Sequence, residues 1–363
     1  MSLASFILNN SELDFIRQIV GRFAAGSQVL EVVLSECRTL HPQDWQLCDY
    51  RLQRLDDRFE LTLNRPSNAR QFRLDILHEN LQGLEMLTAR ATPLDDGALA
   101  ALLKQRSIAF VGCARQCADA VEASLRKLDS LGRLFGRHEI HVFENDSTDG
   151  TAERVQALAG ELPVRLIQET GLAGKLPQRT ARLAYGRNAL LEAALQSNTD
   201  YVCVADLDGV LEPGLPSASS FTDAFRIDDC WDAVFPVNAG MYYDIWALRH
   251  PVICPGDYML RGVDLDASLG QPLAVHFAAT SIQVDWRGLK GWLPVDSAFG
   301  GMGVYKAAAL RGARYIGTVD GRETCEHVTL HAQLRRRDAR LFVSPRFVVA
   351  SHGQQPAPAP VSA

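Results

Sequence analysis

No stretch of this chain approaches the roughly 18 uncharged apolar residues that a transmembrane helix requires. Its opening, MSLASFILNNSELDF, lacks the basic region and the long apolar run of a secretory signal. An excess of positive charge is missing as well. The formal net charge of −6 argues against a nucleic-acid binder working by broad phosphate neutralisation, while leaving room for one local basic pocket. There is no C-x-x-C pair. The eight cysteines are scattered, Cys113 and Cys117 being the nearest neighbours, and they read as reduced thiols of a cytosolic protein. What remains is ordinary globular composition, 47% hydrophobic and 22% charged, on a chain of 363 residues that suffices for one large or two ordinary domains.

Two regions differ in character. In residues 1–104, Leu13, Phe15, Ile16, Ile19, Val20 and Phe23 are spaced as on a helix. Short alternating runs at Val29–Leu34, Tyr50–Leu55, Phe59–Leu63 and Phe72–Ile76 predict strands, with a turn at Asn64-Arg65-Pro66-Ser67-Asn68. The expectation is a small α+β accessory domain without a chemical motif. Docking to a partner, a membrane surface or another copy of the chain are the roles it leaves open.

From residue 105 strand and helix alternate. Ser107–Gly112, Glu139–Phe143, Val164–Ile167 and Tyr201–Ala205 read as strands, the first apolar enough to be buried on both faces. Ala118–Leu131, Thr151–Leu158 and Ala181–Leu195 read as the helices between them. This order predicts an α/β fold with a parallel sheet, whose ligands gather at the carboxyl ends of the strands. After Asp208 the alternation loosens, and loops with a mixed sheet are expected to about residue 303. Residues 354–363, within GQQPAPAPVSA, read as a disordered tail after a domain spanning 105–353.

Chemistry concentrates at predicted strand ends. Glu144-Asn145-Asp146-Ser147-Thr148-Asp149-Gly150-Thr151 is a helix-capping turn that could also present a carboxylate to a base N–H. In Tyr201-Val202-Cys203-Val204-Ala205-Asp206-Leu207-Asp208-Gly209, an apolar run ends in two carboxylates one residue apart, on one side of an extended chain. Such a pair can hold a hard divalent cation and leave positions open for diphosphate oxygens. Arg179, Arg182 and Arg187 lie upstream, and Arg187-Asn188, placed near a helix start, is the better candidate for a diphosphate or base contact. Downstream, Gly300, Gly301 and Gly303 allow close backbone approach or a tight turn. Cys325-Glu326-His327 puts an acid and an imidazole before a helix, as a general base, a metal partner or a cap. Arg335-Arg336-Arg337 reads as a solvated helix C-terminus, and His352 follows the apolar run Phe347–Ala350.

In this order the motifs resemble the GT-A fold glycosyltransferases, above all the large family-2-like group. There an acidic turn precedes S-T-D-G-T, an A-R-N-like helix precedes the D-x-D strand, and a glycine loop, an x-E-D motif and a late histidine follow. Tyr242–Arg249 is also similar to a segment of the fungal capsule mannosyltransferase-like family. The resemblance implies a hexosyltransferase that moves sugar from a UDP- or GDP-sugar to a hydroxyl acceptor, a glycan or glycolipid, with Mn²⁺ or Mg²⁺. It implies Glu144 and Asp146 near the nucleotide base, Arg187 and Asn188 near ribose or diphosphate, and Gly301 against the donor. Asp208 would bind the metal, Asp206 ribose or metal, and His352 would be a third ligand. His327 stands where the family has its aspartate, so the expected base is Glu326 or His327, with Glu326 favoured. The implied setting is cytoplasmic, including the inner face of a membrane, and the acceptor is expected near Trp246, Trp286 and Trp292, at least one of them a core residue.

Two rivals share parts of the pattern. Asp206-Leu207-Asp208-Gly209-Val210 also fits the nucleophile loop of a haloacid dehalogenase-like phosphatase, which needs a later lysine; only Lys290 and Lys306 follow. A nucleotidyltransferase of similar fold would need a glycine-rich basic loop after its first strand, of which Gly112-Cys113-Ala114-Arg115 is a poor version.

Overall fold

The computed structural model describes residues 1–12, 14–37, 45–55, 57–211 and 214–351. The chain divides into two compact units: Met1–Leu94 with Ile227–Cys230 and Lys290–Trp292, and the remainder from Asp95 onward. The expected boundary at residue 104 moves back, because helix α1 (Asp96–Lys104), capped by the Asp95 carboxylate, belongs to the larger unit. The expected tail at 354–363 lies outside the described residues.

Residues 1–94 form strands β1 (Ser2–Asn9), β2 (Ile16–Phe23), β3 (Gln28–Cys37), β4 (Trp45–Leu47), β5 (Tyr50–Leu55), β6 (Arg58–Ser67), β7 (Gln71–Asn80) and β8 (Leu84–Arg90). They make two four-stranded sheets, ordered β1-β7-β3-β4 and β5-β6-β2-β8. Alternation explains them: Phe72, Leu74 and Ile76 of β7 join Phe59, Leu61 and Leu63 of β6 in one buried cluster, and the residues between them stay partly exposed.

The expected α+β composition is therefore corrected, since no helix occurs among the described residues of 1–94. The run read as helical is β2; of its apolar positions, Leu13 lies outside the described residues. A register shift between Ile16 and Gln18, present in the pairing of β2 with both β6 and β8, inserts an extra residue. It buries Ile16 and Ile19 together, three apart, and so imitates a helical period. The expected turn at Asn64–Asn68 is likewise a continuation of β6, whose Ser67 pairs with Ile16.

The larger unit carries an eight-stranded mixed sheet, ordered β11-β10-β9-β12-β15-β13-β18-β14. Its first half is the predicted alternation: β9 (Ser107–Ala114), α2 (Ala118–Gly132), β10 (Arg137–Asn145), α3 (Thr151–Leu158), β11 (Val164–Glu169), α4 (Leu172–Lys175), α5 (Arg179–Gln196) and β12 (Tyr201–Ala205). β12 is buried at every position, as its uninterrupted apolar run requires. Beyond it come α6 (Ala218–Thr222), β13 (Ala233–Asn238), α7 (Tyr258–Leu269), α8 (Gln271–Val275), β14 (Leu293–Pro294), β15 (Met302–Lys306), α9 (Ala307–Leu310), the ribbon β16 (Thr318–Val319) and β17 (Arg322–Glu323), α10 (Glu326–Arg335) and β18 (Leu341–Val349). No helix among the described residues is long and apolar enough to cross a membrane.

Direction decides what meets at one sheet edge. β9, β10, β11 and β12 run parallel, so Ala114, Asn145, Glu169 and Ala205 end together. β15 is antiparallel to β12, with Met302 opposite Ala205, and therefore begins at that edge. β13 is antiparallel to β15 and parallel to β18, so Asn238 and Val349 end there too. The loops after β12 and β13 and the loop before β15 thus converge.

Gly112 permits a close approach beneath this edge. A Cβ there would lie 2.7 Å from Leu207 Cγ and 2.8 Å from the Ala205 carbonyl oxygen. Gly112→Ala is expected to lower the unfolding free energy by about 1–3 kcal/mol, as overpacking does. Chemical denaturation checks this; an unchanged midpoint would mean that Leu207 swings aside freely.

Candidate active site

The D-x-D loop is held by its backbone and by the residue between the acids. The Asp206 N–H donates to the Gly301 carbonyl at 2.9 Å. The Leu207 carbonyl accepts from Ser124 Oγ at 3.2 Å, and the Leu207 side chain is buried over Gly112. With Leu207 turned inward, the flanking carboxylates turn out of the sheet, Asp206 half-buried and Asp208 exposed.

Asp206 sits beside a surplus of negative charge. Partial burial, with Asp208 and Asp244 nearby, pushes its carboxyl up to about 7 against the opposing pull of Arg187. Among the described residues no cluster of three or more His, Cys, Asp or Glu side chains is poised to chelate an ion. The chain therefore offers a hard divalent ion two oxygen-bearing side chains and excess negative charge, a donor set suited to Mn²⁺ or Mg²⁺ that leaves coordination positions for ligand oxygens.

Arg187 is mid-helix in α5 rather than near its start, and it is buried. Its Nη2 donates to Asp206 Oδ1 at 3.1 Å and its Nε to Glu326 Oε1 at 3.0 Å. The guanidinium also lies 5.1 Å from the centre of the Phe299 ring. Burial opposes its charge, but Glu326 and Asp206 outweigh that and hold it protonated. Its Nη1 is buried and finds no partner among the described residues.

Glu326, the first residue of α10, is buried and serves Arg187 as counter-ion. His327 is buried and stacks on Phe299 with ring centroids 3.7 Å apart. Neither of its nitrogens makes a hydrogen bond among the described residues, and its nearest acid, Glu326, is 3.8 Å away. One turn on, His331 bridges Ser297 Oγ and Tyr305 Oη, each at 2.8 Å.

Several predicted ligand residues have local partners. Glu144 is buried and accepts from the Ser147 N–H at 2.8 Å and from Gln168 Nε2 at 2.9 Å. Asp146, at φ +55°, accepts from the N–H groups of Gly171 and Ala173 at 2.6 and 2.8 Å. Asp149 accepts from the Ala118 N–H at 3.0 Å, at the start of α2. Asn188 clamps both backbone groups of Tyr315 at 2.9 Å. Gly301, at φ +91°, lies against the loop, where a Cβ would meet Val210 at 2.5 Å and Tyr243 Oη at 2.8 Å. His352 lies outside the described residues. Of the three tryptophans, Trp286 is buried and stacked on Tyr242 at 4.3 Å, Trp292 is buried against Phe15, and only Trp246 keeps some exposure. Stacking on sugar is thereby corrected to core packing for the first two.

Two site residues were not singled out by the sequence analysis. Tyr243 and Asp244 follow β13; the charge of Asp206 acts on Tyr243, and that of Asp244 acts on Asp206. Their one signal was the Tyr242–Arg249 segment itself, which carries an acid after a strand end.

No protein-family profile matches the chain, and no curated protein matches it. Solved structures do. A mannosyltransferase from Pyrobaculum calidifontis, in complex with GDP-Man and Mn²⁺, is 17% identical with a TM-score of 0.41, covering 68% of this chain; the match spans 57% of that protein's length. Glucosyl-3-phosphoglycerate synthase from Mycobacterium tuberculosis, in complex with UDP, is 17% identical with a TM-score of 0.40, over 74% of this chain and 79% of that one.

The buried histidines make stability depend on acid. Burial holds His331 down to about 3, and burial, with Arg187 and His331, holds His327 well below its usual range. A depressed histidine contributes stability that is complete above its unfolded value of about 6.5 and lost as pH falls below it. His331→Gln is expected to reduce the loss of unfolding free energy below pH 6.5 by up to about 1.4 kcal/mol per pH unit. Urea denaturation at pH 5 and 7 measures this, and an equal slope in both proteins would refute it.

Proposed function

We propose that this protein is a metal-dependent glycosyltransferase of the GT-A type, taking a hexose from a UDP- or GDP-sugar to a hydroxyl of a glycan or glycolipid. The observation that carries the reading is the arrangement at the end of β12. Asp206 and Asp208 stand at the carboxyl edge of the sheet, where open α/β folds bind ligands. Buried Arg187 lies behind them with one nitrogen unused among the described residues.

Asp206 and Asp208 would hold the divalent ion. Bound there, it would neutralise the charge that builds on a departing diphosphate. The chain's own residues do the rest. Arg187 fixes the Asp206 carboxylate by one bond and brings fixed positive charge behind the carboxylate pair. Gly301 fixes the Asp206 backbone. Gly300 and Gly301, both at positive φ, bring backbone rather than side chain to the site wall. A cytoplasmic location, including the inner face of a membrane, suits a donor of this class, and a docking role for residues 1–94 is part of the same reading.

The phosphatase alternative is disfavoured by register. Lys306 pairs with Tyr201, at the end of β12 opposite Asp206, and its amine lies 5.5 Å from the centre of the Trp231 ring. It cannot serve a phosphoaspartate at residue 206. The nucleotidyltransferase alternative is disfavoured because Gly112 is inside β9 against Leu207, not in a phosphate-cradling loop.

In a thermal-shift screen, UDP or GDP is expected to raise Tm only with Mn²⁺ or Mg²⁺ present, as linkage to a shared metal–nucleotide site requires. Asp208→Ala should abolish that shift and the metal-dependent hydrolysis of UDP- or GDP-sugar. A shift of equal size in Asp208→Ala would remove the carboxylate pair from the proposal.

A further inference from the structure

Asp244 is fixed relative to the D-x-D loop by backbone. Its Oδ2 accepts from the Gly300 N–H at 3.0 Å, and its Oδ1 is 3.4 Å from the Ala247 N–H. The next residue, Gly301, accepts from the Asp206 N–H at 2.9 Å. One glycine dipeptide therefore binds the Asp244 carboxylate on one side and the Asp206 main chain on the other. Its own position is set in turn: Asn238 Nδ2 donates to the Gly300 carbonyl at 3.2 Å, and buried Tyr242 anchors the approach to Asp244 by stacking on Trp286. No flexible side chain intervenes between these anchor points, so the Asp244 carboxylate is tied to the Asp206 main chain.

Glu326 and Asp244 are both acids at this edge, but their partners differ. Glu326 is buried and bonded to Arg187, so one of its carboxylate oxygens is already committed to a guanidinium. Asp244 is only half-buried and makes no ion pair among the described residues. Among the described residues, the ionisable groups that act on it or feel its charge are Glu326, Arg187, Asp206, Tyr242, Tyr243, Tyr258 and Cys325. A carboxylate that is backbone-positioned, partly open and outside any ion pair is better placed to accept a proton than one locked to a guanidinium.

Resting on the transferase reading above, we propose that Asp244, rather than Glu326, is the catalytic base. It removes the proton of the acceptor hydroxyl as that oxygen bonds to the anomeric carbon. The bond from that carbon to the diphosphate oxygen breaks, and its electron pair leaves with the nucleoside diphosphate. The proton remains on Asp244 until it passes to water. Glu326 is then a positioning residue that acts through Arg187. Burial also raises the Asp244 carboxyl above the ordinary carboxylate range, in the direction that favours proton uptake.

The test uses the full chain with Mn²⁺, UDP-glucose and GDP-mannose as donors, and either water or azide as acceptor. Asp244→Asn is expected to lower kcat for hydrolysis by about 10²-fold or more. Donor KM and the Kd of UDP or GDP with Mn²⁺ should stay within about threefold of wild type. Azide carries no proton to remove, so with azide the defect should shrink to less than about tenfold. Glu326→Gln should instead weaken nucleotide binding and show no azide-specific recovery. The assignment is overturned if Asp244→Asn keeps hydrolysis within about threefold of wild type, if it loses nucleotide binding together with turnover, or if azide leaves its defect unchanged. Wild-type protein that binds neither UDP nor GDP with Mn²⁺ overturns the transferase reading itself, an outcome visible before any variant is compared.

Discussion

The larger unit depends on one buried cation. Arg187 is drawn from the middle of α5 into a space lined by Phe299 and His327, where an isolated guanidinium would be prohibitively costly. Two carboxylates make it tolerable, and they come from different parts of the chain: Asp206 at the end of β12, and Glu326 at the start of α10. The same three groups therefore tie a helix, a strand end and a second helix together. Loss of one partner leaves an uncompensated charge, and for that reason the cluster ties local stability to the ligand-facing geometry.

Charge balance also explains the direction of the chemistry. Around Arg187 and its partner Asp206 stand Glu326, Asp244 and Asp208, more negative charge than one guanidinium can match. Asp206 shows the imbalance in its raised affinity for a proton. A proton is one way to relieve it, and a divalent cation is a stronger one. The site is thus electrostatically incomplete in a manner that favours a metal carried in with an anionic ligand.

Much of this was legible in the sequence, for a physical reason. A strand buried on both faces must be apolar throughout, so β9 and β12 announced themselves, and acids directly after β12 could only lie at its carboxyl edge. The misreadings have reasons too. A bulge in β2 brought Ile16 and Ile19 to one face at the spacing of a helix, and nothing in the residue order distinguishes the two cases. Ion pairing across the fold was invisible, since Arg187 and Glu326 are 139 positions apart. The structural partners of Glu144, Asp146 and Asn188 were equally invisible, since a carboxylate or amide that suits a ligand contact also suits a backbone N–H, a carbonyl or Gln168. Asp244 carries no motif of its own and becomes conspicuous only once Gly300 is seen to donate to it.

The reversed direction of β15 has a wider consequence. Because it begins where β12 and β13 end, the long excursion between Asn238 and Gly300 leaves β13 and enters β15 at one rim, after laying β14 along β18 at the far side of the sheet. The part of it that precedes β14 can be lengthened, shortened or exchanged without altering strand order or register. The half of the site built on β12 and α5 would be inherited intact while the excursion diverged. Such an architecture separates what is held constant, the acids that follow β12, from what can vary, the excursion that carries Asp244 to them.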